Sequence, residues 1–557
     1  MPETAAGRVG VVVLLVLLAA VVVVPLLPGD PGAVRLAGVA VLWWFAAGAA
    51  PVVATLTACA LFRPRGSVAA ARANPTASLR AVATWTSPVV LTAVAACVFA
   101  GTPEAPILVL TVAVAPLLAL LAPSADPAPS LNRVAGLAAG AAVGLVLWAN
   151  LGVVADLARL AGVPRHAALT LSAAAAFFGV GWRAARRPGG AVILAGLVGV
   201  VLPLVVIGAT VAIPPWTAWS RTASRAALTF GEGSVWVTDG RRLERSATLV
   251  FTEPHRVTAL SPGTYRVIEE VVERDAPRTV TREWYLAAGD ALTLRPGDRL
   301  VLEAGTQVRF ERGKRVPNSA ASGVAWAEPS ERRSLGTAAH ALGVVLTLVG
   351  GSLALLPRPR GLTWRRTVAG SVLLPGLTLA AVSWGAYGVY AAPELALGAA
   401  PATGLVELSA LVLPAPVGGA LVATSIFALL LLFVATALAL RGVIATHAKP
   451  ENADIAWGGL VVVAAVAGLW PADPWRTWLA GCGLAAAAVA APRLAGGDAR
   501  SSLVGSLAGA AAFVGLTAVG DRLPAWAGSV AAYPALLAAP LAWMAVRAET
   551  VRRARRV

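Results

Sequence analysis

The chain has 557 residues, of which 58% are hydrophobic and only 13% are charged, and its mean hydropathy is +0.75. Soluble domains are about half apolar and about a quarter charged, so this composition excludes a soluble enzyme, a disordered protein and a fibrous protein. The formal net charge is +17. In an integral membrane protein such a charge reflects basic residues collected in cytoplasmic loops, so we expect no nucleic-acid binding.

The apolar segments predict a polytopic α-helical membrane protein with about 14 transmembrane helices. A helix needs about 20 apolar residues to cross the hydrocarbon core of a bilayer. The candidate spans lie at 9–27, 36–62, 81–100, 106–123, 134–154, 166–182, 190–213, 336–356, 367–391, 416–440, 456–470, 476–492, 502–520 and 526–546. Pro51 should kink the second span. The segment 392–415 is apolar but broken by prolines, which is typical of a re-entrant or interfacial piece.

These spans divide the chain into four parts. Residues 1–215 form an N-terminal membrane domain of about seven helices, and residues 336–546 form a C-terminal membrane domain of about seven more. Residues 547–557 are a basic tail. Between the two membrane domains, residues 216–335 hold 18 basic and 15 acidic residues, a charge density that no span shows.

The hydrophobic periodicity of this insert is two residues, which predicts strands rather than helices. Short alternating runs are separated by turn sequences such as Asp239-Gly240 and the segment 295–298. Eight or nine short strands with regular turns predict an all-β domain, either a sandwich or a barrel, between helices 7 and 8. His255 is its only histidine, so we expect no metal site there.

The charges of the loops predict the orientation. An even number of spans puts both termini on one side, and the loops and tails of that side hold 22 basic residues, against 5 in the short loops opposite. The positive-inside rule therefore predicts cytoplasmic termini in the cytoplasmic (inner) membrane and an extracytoplasmic insert at 216–335. The Ala-, Arg- and Val-rich composition is typical of a high-GC bacterium.

Two features predict contacts rather than chemistry. Gly136, Gly140 and Gly144 recur at four-residue spacing, which favours close packing of another helix. The tail residues Arg552, Arg553, Arg555 and Arg556 favour contact with anionic membrane lipids or a topology role. The three cysteines lie in apolar stretches and predict neither a disulfide nor a metal site.

One segment resembles a known family. Trp384-Gly-Ala-Tyr387, followed by Pro393 and Glu394, resembles the tryptophan-rich haem-handling motif of cytochrome c assembly proteins. The resemblance covers about eleven residues and implies haem as a cofactor, bound beside Trp384 and Tyr387, with His166 and His340 as axial ligands. The sequence departs from that pattern, because both histidines precede the motif and its later Trp and Asp are absent.

Almost no ionisable side chain lies inside a span, although ion-coupled transport usually needs one there. We therefore predict a non-catalytic component of a bacterial cell envelope: a scaffold subunit of a membrane complex, or a permease for an apolar or lipid-like substrate. Protein partners in the envelope would bind through the β-domain. Two alternatives stay open: the haem-handling assembly protein, and a membrane-embedded glycan or lipid transferase that uses Asp30.

Overall fold

The computed structural model describes residues 5–27, 31–61, 85–102, 104–121, 133–178, 195–230, 235–237, 247–273, 276–303, 306–327, 335–356, 364–397, 405–447, 452–470, 472–496, 498–523 and 527–555. The helices before residue 235 are α1 (Ala5–Val23), α2 (Val41–Trp43), α3 (Ala50–Leu61), α4 (Pro88–Ala100), α5 (Ala105–Leu121), α6 (Arg133–Leu160), α7 (Arg165–Phe178), α8 (Leu202–Val211) and α9 (Pro215–Ala223). Helices after them are α10 (Gly323–Ala327), α11 (Leu335–Leu355), α12 (Trp364–Ala391), α13 (Leu408–Val412), α14 (Ala415–His447), α15 (Ala453–Ala467), α16 (Pro474–Ala485), α17 (Ala491–Ala495), α18 (Ala499–Val519), α19 (Gly528–Ala532) and α20 (Ala535–Ala554).

The described helices confirm a helical membrane protein. Eight of them are long and apolar enough to cross a membrane, or nine if a bent pair counts as one span. The eight are Val9–Leu26, Val41–Ala60, Arg133–Leu160, Ala338–Leu355, Val372–Ala391, Ala415–Ala445, Pro474–Ala495 and Ala499–Val519. Helices α4, α5 and α15 are apolar but shorter, so the count of fourteen stays a prediction.

Three prolines reshape the spans that contain them. A π-helical segment ends two residues before each: Trp44–Ala49 before Pro51, Leu197–Val201 before Pro203, and Ala486–Ala490 before Pro492. A proline inside a helix has no N–H for the carbonyl four residues earlier, and its ring clashes with that carbonyl. A wider π turn relieves the clash, and such a turn precedes Pro51, where a kink was predicted.

The alternating segment forms the predicted β-region. Strands β1 (Arg35–Leu36) and β2 (Val39–Ala40) form a separate small hairpin near the start of the chain. The strands of the β-region are β3 (Val235–Val237), β4 (Ala247–Val250), β5 (His255–Ala259), β6 (Gly263–Glu273), β7 (Ala276–Leu286), β8 (Ala291–Leu294), β9 (Arg299–Leu302) and β10 (Gln307–Phe310). They make two antiparallel four-stranded sheets, β3-β10-β5-β8 and β4-β9-β6-β7. The turn at Asp239-Gly240 lies outside the described residues.

Both sheets bury side chains in one apolar core, so the region is a sandwich. Val257 and Phe310 come from one sheet, and Leu249 and Leu300 from the other. Leu397, which follows helix α12, packs into the same core. The sandwich therefore rests directly on the helical part of the molecule.

Candidate functional site

The predicted span 190–213 runs into a sharp break. Helix α8 ends at Val211, α9 begins at Pro215, and the two bend by 58°. Ala212 ends α8 in the left-handed conformation, with φ of +57°, which costs a residue other than glycine about 1–2 kcal/mol. Pro214 and Pro215 follow; their fixed φ suits the start of α9, and they cannot continue α8.

Tyr387 of helix α12 supports this break. Its hydroxyl donates a buried hydrogen bond of 2.8 Å to the carbonyl of Ile213, a group that the break leaves without a helical donor. Gly208 makes room for the tyrosine, because a Cβ at Gly208 would lie 2.7 Å from the Tyr387 hydroxyl oxygen. Tyr387 therefore caps the broken helix, and its predicted place beside haem stays a prediction.

A cavity of about 530 Å³ lies beside the break, within the usual size range of ligand pockets. Its lining consists of Val201, Leu204, Val205, Gly208, Ala212, Ile213, Pro214, Pro215, Gly376, Leu379, Ala380, Ser383 and Tyr387. The side-chain hydroxyls of Ser383 and Tyr387 already donate to backbone carbonyls. The cavity therefore offers almost purely apolar contacts.

A second cavity, of about 250 Å³, adjoins the first and shares Pro215, Leu379 and Ser383 with it. Its lining consists of Val39, Trp43, Trp44, Ala47, Gly48, Pro215, Trp216, Trp219, Leu379, Val382, Ser383 and Ala386. We call the two cavities together the cleft. No Asp, Glu, Lys, Arg or His is among the described residues that line it.

The cleft opens to the outer surface of the helices. Val205, Trp216 and Leu379, which line it, are 61%, 52% and 49% exposed. Exposed apolar side chains on a membrane helix face lipid or another apolar partner. The mouth of the cleft is therefore apolar as well as exposed.

Trp219 packs between a residue that lines the cleft and a residue of the helix that follows the sandwich in the chain. Its ring lies between Trp43, at 4.6 Å, and Trp326 of helix α10, at 4.8 Å. Gly323 packs α10 on the end of α9, because a Cβ there would lie 1.8 Å from the Thr222 carbonyl oxygen. The Gly323 N–H donates to the Arg225 carbonyl at 2.9 Å. We call α9 and α10 together the clasp.

The proposed haem residues lie in different surroundings. His166 is exposed at the start of α7, a helix that packs on α6, α14 and α15. His340 lies on α11, with Nε2 3.4 Å from Glu104 Oε1 and its ring 4.6 Å from that of Tyr533. Trp384 is buried, one turn from Tyr387 on α12. No described contact joins either histidine to the Trp384–Tyr387 pair, and haem ligation stays a prediction.

The glycine face that was predicted to pack against another helix has few neighbours among the described residues. A Cβ on Gly136 or Gly140 would meet no described atom within 4 Å, and one on Gly144 would lie 3.4 Å from Leu460. Most of this glycine face is thus open, and its predicted helix partner stays a prediction.

The basic tail is partly neutralised by acidic neighbours. Arg552 and Arg553 both bond Glu549, and Arg553 also pairs with Asp498. The pKa of the Glu549 carboxyl is lowered, chiefly by the Arg553 hydrogen bond. Arg555 is exposed, so it is the described tail residue with most freedom to meet lipid, while Arg556 and Asp30 lie outside the described residues.

Sequence reasoning missed the cleft, since its walls come from three distant segments of the chain. One local signal was available: Pro214-Pro215 directly follows a predicted span, and adjacent prolines end a helix.

No group of three metal-ligating side chains occurs in the described ranges. No protein-family model matches the chain, and no curated protein or solved structure is significantly similar to it.

Proposed function

We propose that this chain is a multi-pass permease of the bacterial cell envelope that holds the apolar part of a lipid-like molecule in the cleft. The observation that carries the proposal is the cleft itself: an apolar cavity at a broken helix, with exposed apolar side chains at its mouth. Membrane transporters commonly place substrate at discontinuous helices. The apolar lining selects hydrocarbon rather than an ion.

The same lining argues against chemistry on the bound molecule. General acid–base catalysis needs a titratable group within hydrogen-bond reach of the reacting atom. The described lining offers only hydroxyls that are already bonded to backbone carbonyls. A non-catalytic role is therefore part of the proposal.

The proposed topology completes this account. Fourteen spans with both termini in the cytoplasm put residues 216–335 outside the cell, and the charge bias of the loops, 22 against 5, supports that arrangement. The sandwich would then lie on the outer face of the cytoplasmic membrane, directly after helix α9 of the cleft.

Photolabelling of the full-length protein in lipid nanodiscs tests the proposal. The probe is a hexadecyl chain that carries a diazirine. We expect cross-links concentrated at Val205, Trp216 and Leu379. Gly376→Leu puts a side chain into the cleft, and its Cβ would meet no described atom within 4 Å. It should lower labelling about fivefold, the equivalent of an overpacking penalty of about 1 kcal/mol.

Gly419→Leu is the matched control. Gly419 is also an exposed glycine within a long helix, and a Cβ there also meets no described atom within 4 Å, but it does not line the cleft. Labelling spread evenly over exposed positions such as Leu137 and Phe427, and unaffected by Gly376→Leu, would contradict the proposal.

The scaffold role is a second candidate, favoured by one feature of the sandwich. Strand β7 pairs only with β6 among the described strands, so it forms a sheet edge. Trp284 and Tyr285 on this edge are 43% and 75% exposed. Exposed aromatics beside unpaired backbone groups favour a protein partner that adds a strand. Stoichiometric recovery of such a partner would favour the scaffold role.

A further inference from the structure

We infer that the β-sandwich controls the cleft, through a clasp that pivots at Ala212–Pro214 and docks on the helices through Trp326. The inference rests on the proposed function, since it concerns regulation of the same cleft. Helix α9 belongs to both parts: it supplies Pro215, Trp216 and Trp219 to the cleft wall, and the chain continues from it into the sandwich.

The part before the pivot is fixed. The Ser425 hydroxyl of helix α14 donates a buried hydrogen bond of 2.8 Å to the Gly199 carbonyl. A Cβ on Gly199 would lie 1.8 Å from that of Ala428 on the same helix, so the backbones of the π segment and α14 are in close contact. The chain is therefore held on α14 before α8, and we place the pivot after α8.

The clasp is one unit on the far side of the pivot. Gly323 ties α10 to the carbonyls of Thr222 and Arg225 at the end of α9, so the two ends of the sandwich meet there. Arg225 also lies over the Tyr390 ring, 4.8 Å from its centre. A force on the sandwich would therefore act on α9 and α10 together.

Specific contacts dock the clasp on the helices. The Trp326 indole N–H donates a buried bond of 2.9 Å to the Phe99 carbonyl. Gly101, with φ of +63°, lets the chain pass Trp326, because a Cβ at Gly101 would lie 2.6 Å from the Trp326 carbonyl oxygen. Ser220 of α9 packs against Gly38 in the same close manner.

The pivot is strained while the clasp is docked. Ala212 keeps its left-handed backbone beside two prolines, and such a conformation persists only where the surroundings impose it. The docking contacts and the Tyr387–Ile213 bond impose it here. Undocking lets Ala212 relax and removes Trp216 and Trp219 from the cleft wall. A partner that pulls on the sandwich would thus open the cleft, and Trp326 is a positioning residue for a cavity that it does not line.

Distances between two spin labels test the inference in the full-length protein. One label goes on Ser224→Cys at the clasp and the other on Val417→Cys of helix α14, with Cys59 and Cys97 replaced by alanine. We expect one narrow distribution for the parent. Trp326→Phe keeps the aromatic ring but loses the bond to Phe99, and should add a second population. Adding Ala212→Gly should restore the narrow distribution, because glycine adopts the left-handed conformation freely.

The cleft is monitored in parallel with the hexadecyl diazirine. Trp326→Phe should raise the half-saturating probe concentration about threefold, the effect of weakening one aromatic contact, and Ala212→Gly should reverse that change. Trp284→Phe is the control: it makes the same substitution at an exposed tryptophan of strand β7, which belongs to the sandwich and not to the clasp. A purely structural role for Trp326 would lower stability without this paired reversal.

The outcomes are distinguishable. Unchanged distances in Trp326→Phe overturn the inference, and so do altered distances with unchanged labelling, since the clasp would then move without affecting the cleft. Absence of cleft labelling in the parent protein would defeat the proposed function instead, while the distance measurement would still report whether the clasp moves. Restoration of both signals by Ala212→Gly supports the inference.

Discussion

His255 is the residue whose surroundings most clearly set its chemistry. It is 1% exposed and lies among Phe230, Phe251 and Phe310, with ring centres 5.3–5.8 Å away. Its Nε2 accepts the Glu311 N–H at 3.2 Å, which puts the imidazole proton on Nδ1. That buried N–H has no acceptor among the described groups. The arrangement suits only neutral histidine.

Burial lowers the pKa of His255 below its ordinary value of 6.5, although Glu311 and Glu253 act in the opposite direction. A lowered folded-state pKa means that the unfolded chain takes up the proton first as pH falls. The sandwich should therefore keep its full stability above pH 6.5, lose stability as the pH falls below that value, and level off below the folded-state pKa.

Hydrogen exchange of strands β5 and β10, corrected for the intrinsic pH dependence, measures this loss. His255→Phe keeps an aromatic ring and removes the titration, so its protection should vary less between pH 7.5 and pH 5. Equal pH dependence in the two proteins would show that another group is responsible. Before the structure, His255 served only as an argument against a metal site, because its three phenylalanine neighbours come from separate segments of the chain.

Single elements were the most predictable part of the molecule. Alternation and turn residues located the strands of the β-region, since both are local properties. Local patterns did not reveal the π segments, because whether a proline kinks, breaks or widens a helix depends on its neighbours. Pro203 illustrates this: the Gly199 carbonyl, four residues earlier, takes its hydrogen bond from Ser425, 226 residues away along the chain.

The Ser425 hydroxyl donates to the Gly199 carbonyl in place of the backbone N–H that Pro203 lacks. The effects of substituting Ser425 and Pro203 should therefore not be additive. Ser425→Ala leaves the Gly199 carbonyl without that donor and should lower the free energy of unfolding by about 1 kcal/mol, within the range for buried bonds in membranes. Pro203→Ala supplies a backbone N–H for the same carbonyl, so Ser425→Ala should cost much less in that background. Unfolding in mixed micelles with SDS measures all four proteins. Strict additivity would show that the two donors do not replace each other.

At the scale of the whole molecule, composition and hydropathy predicted a helical membrane protein, because hydropathy is additive along the chain, while the β-region was predicted from the alternation of its side chains. The cleft was beyond such reasoning. Its walls combine residues within 39–48, 201–219 and 376–387, and only the packing of helices brings them together. Tyr387 likewise gains its role from a partner, Ile213, that lies 174 residues away.

The proposed function depends on the cleft and on no reaction centre. Purification of the full-length protein from native membranes in mild detergent, followed by mass spectrometry of everything that stays bound, tests this most directly. The account predicts a lipid-like molecule that is retained by the parent and by Gly419→Leu and is depleted in Gly376→Leu. Equal retention in all three proteins, or a chain that carries only haem or only stoichiometric protein partners, would contradict it.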